Sequence, residues 1–349
     1  MLITLLDKLE EQGQLSRVEF GRLIAERTPE LMARAAGGAT RLRKKHFGRQ
    51  VFIRGLIEIS SYCCNNCYYC GIRRDNRKAE RYRLTPEQIL ACCELGYPLG
   101  FRTFVLQGGE DAYFTEASMV KLIREIKVRY PDCAVTLSIG EKTFATYKAF
   151  REAGADRYLL RHETANAEHY AKLHPAQQTL ENRLRCLQDL RSLGYQAGAG
   201  FMVGSPFQTL DCLAQDLEFL SQFRPEMIGI GPFIPHHDTP FRDAPPGSLE
   251  LTLFLLSLLR LMLPRVLLPA TTALGSIHPT GRELGILAGA NVIMPNLSPP
   301  DVRDKYLLYD NKLNSGAEAA EGLEELRHRL ALIDCEIAVS RGDYPKEEV

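Results

Sequence analysis

The sequence predicts a complete (β/α)8 TIM barrel preceded by an N-terminal helical extension. Three observations carry that expectation: short β-rich apolar runs recur along the chain, amphipathic segments alternate with them, and the count of such units reaches eight. Strand–helix alternation gives a parallel sheet with crossover helices, and eight units is the number that closes into a barrel. The expected boundaries are 1–48 for the helical segment, 49–300 for the barrel and 301–349 for a C-terminal helical tail.

The first fifty residues have helical periodicity in LLDKLEEQ and RVEFGRLIAER. TPELMARAA opens a further helix, with Thr28 as N-cap and Pro29 at the first helical position. The basic run RLRKKHFGR reads as the solvated end of that helix. Strands are then expected within 51–60, 101–109, 133–140, 157–164, 196–204, 226–235, 266–274 and 291–298. The helices between them include TPEQILACCELGYPLG, EASMVKLIREIKVRY, FATYKAFREAGA, LENRLRCLQDLRSLGY and TLDCLAQDLEFLSQF, with TGRELGILAGA as a shorter one. Gly100, Gly154, Gly194 and Gly289 close several of these, as helix C-termini require. LTLFLLSLLRLMLPRVLLP is interrupted by Arg260, Pro264 and Arg265, so it reads as a buried helix leading to a strand and not as a membrane span.

Lys plus Arg and Asp plus Glu stand at 43 each, which predicts no general attraction to nucleic acid or to an acidic membrane. The N-terminus MLITLLDKLEEQGQLSR carries acidic residues and no small-residue cleavage site, so a cytoplasmic location is expected. Ten cysteines in a reducing compartment do not imply disulfides. Cys92, Cys93, Cys133, Cys186, Cys212 and Cys335 sit among apolar neighbours and read as small buried hydrophobes. The other four are clustered in SYCCNNCYYC, residues 61–70.

In a barrel, catalytic residues lie at the C-terminal ends of strands. Those positions are polar here: Ser60 with the cysteine loop, Gln107-Gly-Gly-Glu-Asp111, Ser138, His162-Glu163-Thr164, Thr271-Thr272 and Asn296. The cysteines allow two spacings, C-x2-C-x2-C from Cys64 or C-x3-C-x2-C from Cys63. The first resembles a ferredoxin run, but no Cys-Pro follows it. A structural zinc site wants four ligands, and the adjacent His236 and His237 do not supply a spaced pair. Loop packing is the reading for His236-His237-Asp238. Three thiolates without a fourth suit a cubane iron–sulfur cluster with one iron open to a small chelating molecule.

The C-x3-C-x2-C spacing in the first βα loop resembles the radical S-adenosylmethionine (SAM) enzymes. That resemblance implies Cys63, Cys67 and Cys70 as ligands of one 4Fe–4S cluster, with Cys64 spare. It implies SAM on the open iron and its one-electron cleavage to methionine and a 5′-deoxyadenosyl radical. VLQGGED, TLSIGE, EAGADRYLLRHETAN, GAGFMVGSPFQT, GIGPFIPHHDTP and PATTALG further resemble the FeFe-hydrogenase maturases of the HydE type. Biotin synthase and methylornithine synthase are close kin of that group.

By this likeness Tyr69, Gln107, Gly108, Gly109, Glu110, Ser138, Glu163, Arg183, Met202 and Met227 are expected around SAM. Arg161, Thr271, Thr272, Met294 and Tyr306 are expected to line the substrate cavity. An Arg–carboxylate fork suits Arg183, and Arg161 within a strand is too costly to bury without an anionic partner. The substrate implied is a small sulfur-containing organometallic complex, with other maturases and an electron donor as partners. Two readings stand beside it: a radical SAM enzyme acting on an amino acid, and an iron–sulfur carrier without catalysis. Some members hold a second cluster on three C-terminal cysteines; this tail has only Cys335, so a single cluster is expected.

Overall fold

The computed structural model describes residues 2–345, so the first residue of the N-terminal segment and the last four of the tail lie outside it. Three helices come first, Leu2–Gln12, Arg17–Ala25 and Pro29–Phe47. Thr28 caps the third as expected, its side chain accepting from the Leu31 amide with Pro29 in the first turn. They lie against the later helices Leu210–Phe223 and Leu249–Met262. One expectation fails here: Arg43 in the basic run is fully buried, not solvated, because its face of the helix turns inward with Ala35, Ala39 and Leu42.

The strands are β1 (Gln50–Ile53), β2 (Gly55–Ser60), β3 (Thr103–Gly108), β4 (Ala134–Ser138), β5 (Arg157–Leu159) and β6 (Gln196–Ala199). Then come β7 (Met202–Val203), β8 (Met227–Ile228), β9 (Gly231–Pro232), β10 (Val292–Ile293) and β11 (Glu336–Ala338). A parallel sheet runs β2-β3-β4-β5-β6-β8, and smaller parallel sheets run β10-β1-β11 and β7-β9. Single parallel bridges extend the order: Met227 with Leu267, Pro269 with Val292, and Leu56 with Asn296. The molecule is therefore an α/β fold, a parallel barrel-like sheet with helices around it. Every residue of β2 is buried, as a strand covered on both faces must be.

The helices close as the glycines suggested: Gly100, Gly154, Gly194 and Gly289 all have positive φ. Two expectations are corrected. Residues 266–274 form no regular strand; they make only the bridges at Leu267 and Pro269 before the helix Thr272–Ile277 begins. Pro269 has no N–H for the ladder, which limits pairing there. The tail is not wholly helical either. Its helix Leu323–Ala331 stops, Asp334 takes φ 55°, and buried Cys335 leads into β11 beside β1.

Candidate active site

The C-terminal end of β2 opens into the cysteine loop. Ser60 anchors its root: its Oγ donates to Asp111 Oδ2 at 2.7 Å and accepts from the Tyr62 amide at 3.0 Å. The Cys64 amide donates to the Glu110 carbonyl at 2.9 Å, and the Glu110 amide lies 3.4 Å from Cys63 Sγ. The loop thus rests on the residues that end β3. A Cβ on Gly109 would overlap the Tyr62 carbonyl, so only glycine permits this approach.

Cys63, Cys67 and Cys70 line one cavity of about 270 Å³, whereas Cys64 is exposed. Tyr69, Gln107, Gly108, Gly109, Glu110, Ser138, Arg161, Glu163, Arg183 and Tyr306 line the same space. A second cavity of about 190 Å³ adjoins it and is lined by Met202, Thr271 and Thr272. Tyr69, Cys70, Arg161, Glu163 and Leu308 belong to both walls. Two expected residues lie elsewhere. Met227 is buried among Phe47, Phe52, Leu267 and Val292, and Met294 packs on that same group. Met227 Sδ there accepts from Arg54, 3.0 Å away, so neither methionine lines either cavity.

Arg183 is held from two sides. Its Nε donates to Glu141 Oε1 at 2.5 Å and its Nη1 to the Arg161 carbonyl at 2.5 Å. Arg161 Nη2 and Glu163 Oε2 are 2.9 Å apart, an ion pair without hydrogen-bond alignment, so both atoms keep unused bonding capacity. Glu163 also has φ 65°, a left-handed conformation that costs a residue with a Cβ. It is fixed by the Glu163 amide on the Gly200 carbonyl and the Met202 amide on the Glu163 carbonyl.

Burial pushes all three cavity thiols up. Cys63 is raised, Cys67 is pushed up to about 11 by burial and then by the Cys63 charge, and Cys70 is raised further. Such thiols stay protonated near neutral pH and become good ligands only when a metal displaces the proton. Burial also raises the Glu110 carboxyl. A cradle of three converging thiols beside bare glycine backbone fits an iron–sulfur cluster with a small ligand alongside it.

Glu141, the last residue of TLSIGE, orients Arg183. Other site residues carried no sequence signal: Gln178 lies 3.5 Å from Cys67 Sγ, and His174 Nε2 meets the Tyr69 hydroxyl at 3.1 Å. From the segment 306–314, Tyr306 and Leu308 line the first cavity and Leu308 and Tyr309 the second. The Gly71 amide bonds its Leu308 carbonyl at 2.9 Å, and His237 Nδ1 lies 2.6 Å from its Asp310. Lys312 reaches inward to Glu58 Oε1 at 2.5 Å, with Asn296 on the other carboxylate oxygen at 2.9 Å. Their side chains are only 6% and 0% exposed. His236 stacks on His237 with centroids 4.4 Å apart, so the histidine pair is packed against the segment that Asp310 anchors.

Residues 57–220, from the strand feeding the cysteine loop through the fifth strand and beyond, match the Radical SAM superfamily. The chain belongs to that superfamily, and membership implies a 4Fe–4S cluster and SAM acting on a small substrate. More particularly, it is 47% identical to the FeFe hydrogenase maturase subunit HydE of Thermotoga maritima, covering 86% of this chain and 87% of that protein. It is 30% identical to the 3-methylornithine synthase of Methanosarcina barkeri over 88% of this chain and 87% of that one. The solved structure of methylornithine synthase (PylB) matches with a TM-score of 0.83 at 28% identity, covering 96% of this chain and 97% of that one. The hydrogenase maturase HydG shares the fold, with a TM-score of 0.82 at 18% identity over 97% and 76% of the two chains. Among the described residues no helix is long and apolar enough to cross a membrane.

Proposed function

We propose that this protein is a hydrogenase-maturation enzyme of the HydE kind, which forms a 5′-deoxyadenosyl radical in the first cavity and uses it in the second. The substrate is a small sulfur-containing organometallic complex that leads to the di-iron cofactor of FeFe-hydrogenase. The single observation that carries this reading is the shared wall: Arg161 and Glu163 face both cavities, so a radical made on one side has its substrate space adjoining it. The 47% identity to a HydE protein over most of both chains supports the maturase assignment.

The residues take these roles in the proposal. Cys63, Cys67 and Cys70 hold the cluster, and Cys64 does not. Bound there, the cluster would supply the electron that splits the SAM sulfonium. Gly108 and Gly109 offer bare backbone to the SAM amino group, Glu163 takes the ribose hydroxyls, and Arg183, oriented by Glu141, takes the carboxylate. Arg161, Thr271, Thr272 and Tyr306 receive the substrate; the Thr271 Oγ1 is buried without a partner and so is ready to bond one. We also infer that the parallel strands close into a barrel, which the bridges at Leu267, Pro269 and Asn296 support.

A second reading keeps the radical and changes the substrate to an amino acid. The fit to methylornithine synthase along nearly the full length of both chains favours it. Anaerobic reconstitution with iron and sulfide, reduction, and addition of SAM test the proposal. A shifted EPR spectrum and 5′-deoxyadenosine are expected, and faster deoxyadenosine release with the organometallic complex than with ornithine or lysine selects the maturase reading. A cluster whose spectrum ignores SAM would make the protein an iron–sulfur carrier instead.

A further inference from the structure

Between residues 73 and 83 the chain carries six cations, but the structure uses one of them differently. Arg74 pairs with Asp75, Lys78 with Asp238 and Arg83 with Asp111, all near the surface. Arg81 turns back into the cysteine loop. Its Nη1 donates to the carbonyls of Ser61 and Ile72, the latter at 2.9 Å. Its Nη2 donates to the carbonyls of Arg73 at 2.7 Å and Asn76 at 3.0 Å.

Ser61 precedes Cys63, while Ile72, Arg73 and Asn76 follow Cys70. One planar guanidinium therefore ties the entrance of the loop to its exit, a geometry that lysine, with a single point charge, does not reproduce. Neighbouring bonds close the same seam: the Ser61 amide to the Tyr82 carbonyl at 3.2 Å, and the Leu84 amide to the Ile59 carbonyl at 2.9 Å. Among the described residues Arg81 has no carboxylate partner, and the carbonyls of Ser61 and Ile72 that it holds stand two residues before Cys63 and two after Cys70.

We propose that Arg81 is the positioning residue of the cluster loop, holding its two ends together before any metal arrives and lending the bound cluster an uncompensated positive charge that favours its reduced form. The inference deepens the proposed function and rests on that reading of Cys63, Cys67 and Cys70. Three thiolates make the site anionic, and reduction adds one more negative charge, which a fixed nearby cation stabilises. Arg81 itself touches neither SAM nor substrate in this assignment.

Arg81→Lys and Arg81→Gln in the full chain separate the two effects. In the apoprotein, hydrogen exchange of amides 61–76 is expected to rise about tenfold or more in both variants, with the rest of the protein unchanged. After reconstitution without SAM, an EPR-monitored redox titration should give Arg81→Gln a more negative midpoint potential. Arg81→Lys should stay close to wild type, because it keeps the charge. Wild-type exchange in both variants overturns the positioning role, and equal potentials for Lys and Gln overturn the electrostatic one. Neither arm uses SAM, so a cluster that obeys these expectations yet ignores SAM defeats the enzyme reading and leaves Arg81 in place.

Discussion

Gly109 and Cys63 meet so closely that a Cβ on the glycine would stand 2.8 Å from the cysteine Cβ. The first cysteine is thus seated on bare backbone at the end of the neighbouring strand. On the other side, Gly140 leaves room for the Glu110 carboxylate, whose Cδ would lie 2.7 Å from a Cβ there. The glycines hold two strand ends at contact distance with the loop between them.

Gly109→Ala must push the loop off β3, because backbone cannot yield as a side-chain tip can. Reconstituted Gly109→Ala should hold far less iron than wild type and lose SAM affinity by about tenfold or more. Iron per chain and a SAM titration followed by EPR check this. Wild-type values for both would show that the loop has slack.

Alanine at Cys63, Cys67 or Cys70 should leave little or no cluster, whereas Cys64→Ala should reconstitute normally, since that side chain is exposed. Iron and acid-labile sulfide assays on the four variants measure it. A cluster that survives Cys63→Ala and is lost in Cys64→Ala would transfer the ligand role to Cys64.

Glu163 stores strain, because the left-handed conformation costs an L-residue about 1–2 kcal/mol. Glu163→Gly relieves that strain while deleting the carboxylate. Its apoprotein should melt no lower than wild type, yet bind SAM about tenfold or more weakly. Glu163→Gln loses affinity without the gain in stability. A Glu163→Gly variant that is markedly less stable would mean that the Arg161 contact outweighs the backbone cost.

Lys312→Met leaves the fully buried Glu58 without its cation and should destabilise the apoprotein by about 3–5 kcal/mol. Glu58→Gln placed on top removes the stranded charge and should recover a large part of that loss. Urea denaturation of the singles and the double gives the coupling. Simple additivity would mean that the two groups do not depend on each other.

His174 is held neutral: burial lowers it to about 3, and its two nitrogens bond the Tyr170 carbonyl and the Tyr69 hydroxyl. The unfolded chain takes up a proton below about pH 6.5, while the folded one resists until about pH 3. The folded state therefore has this contribution in full above pH 6.5 and loses it as pH falls towards 3, by up to about 1.4 kcal/mol per unit. His174→Gln lacks the titration. Its stability deficit against wild type should be larger at pH 7.5 than at pH 4.5, and a deficit that ignores pH rules this account out.

What sequence reasoning reached was whatever periodicity and local spacing encode. The strand–helix alternation, the cap at Thr28 and the placement of the cysteines after β2 are all local signals, and each is present in the structure. The close backbone approach at Gly109 was legible, because a glycine pair at a strand end signals one. The packing of Met227 and Met294 was not, because Met227 lies in one strand of two residues and Met294 follows another, too short for alternation to say which face a side chain takes. The spacing selected Cys63 over Cys64 only through a family resemblance; in the structure the path of the loop turns Cys63 into the cavity and leaves Cys64 exposed. The hold of Lys312 on Glu58 spans the chain without any motif at either end.

That hold has a consequence for how the protein is made. Glu58 leaves the ribosome early, and its cation follows 254 residues later. At a synthesis rate of 5–20 residues per second the gap lasts roughly 13–50 s. During that time the first barrel strand carries a carboxylate that is expensive to dehydrate, so burying it is costly until Lys312 arrives. The stretch that brings this cation also supplies Tyr306, Leu308 and Tyr309 to the cavity walls, so charge neutralisation and completion of the two cavities arrive together.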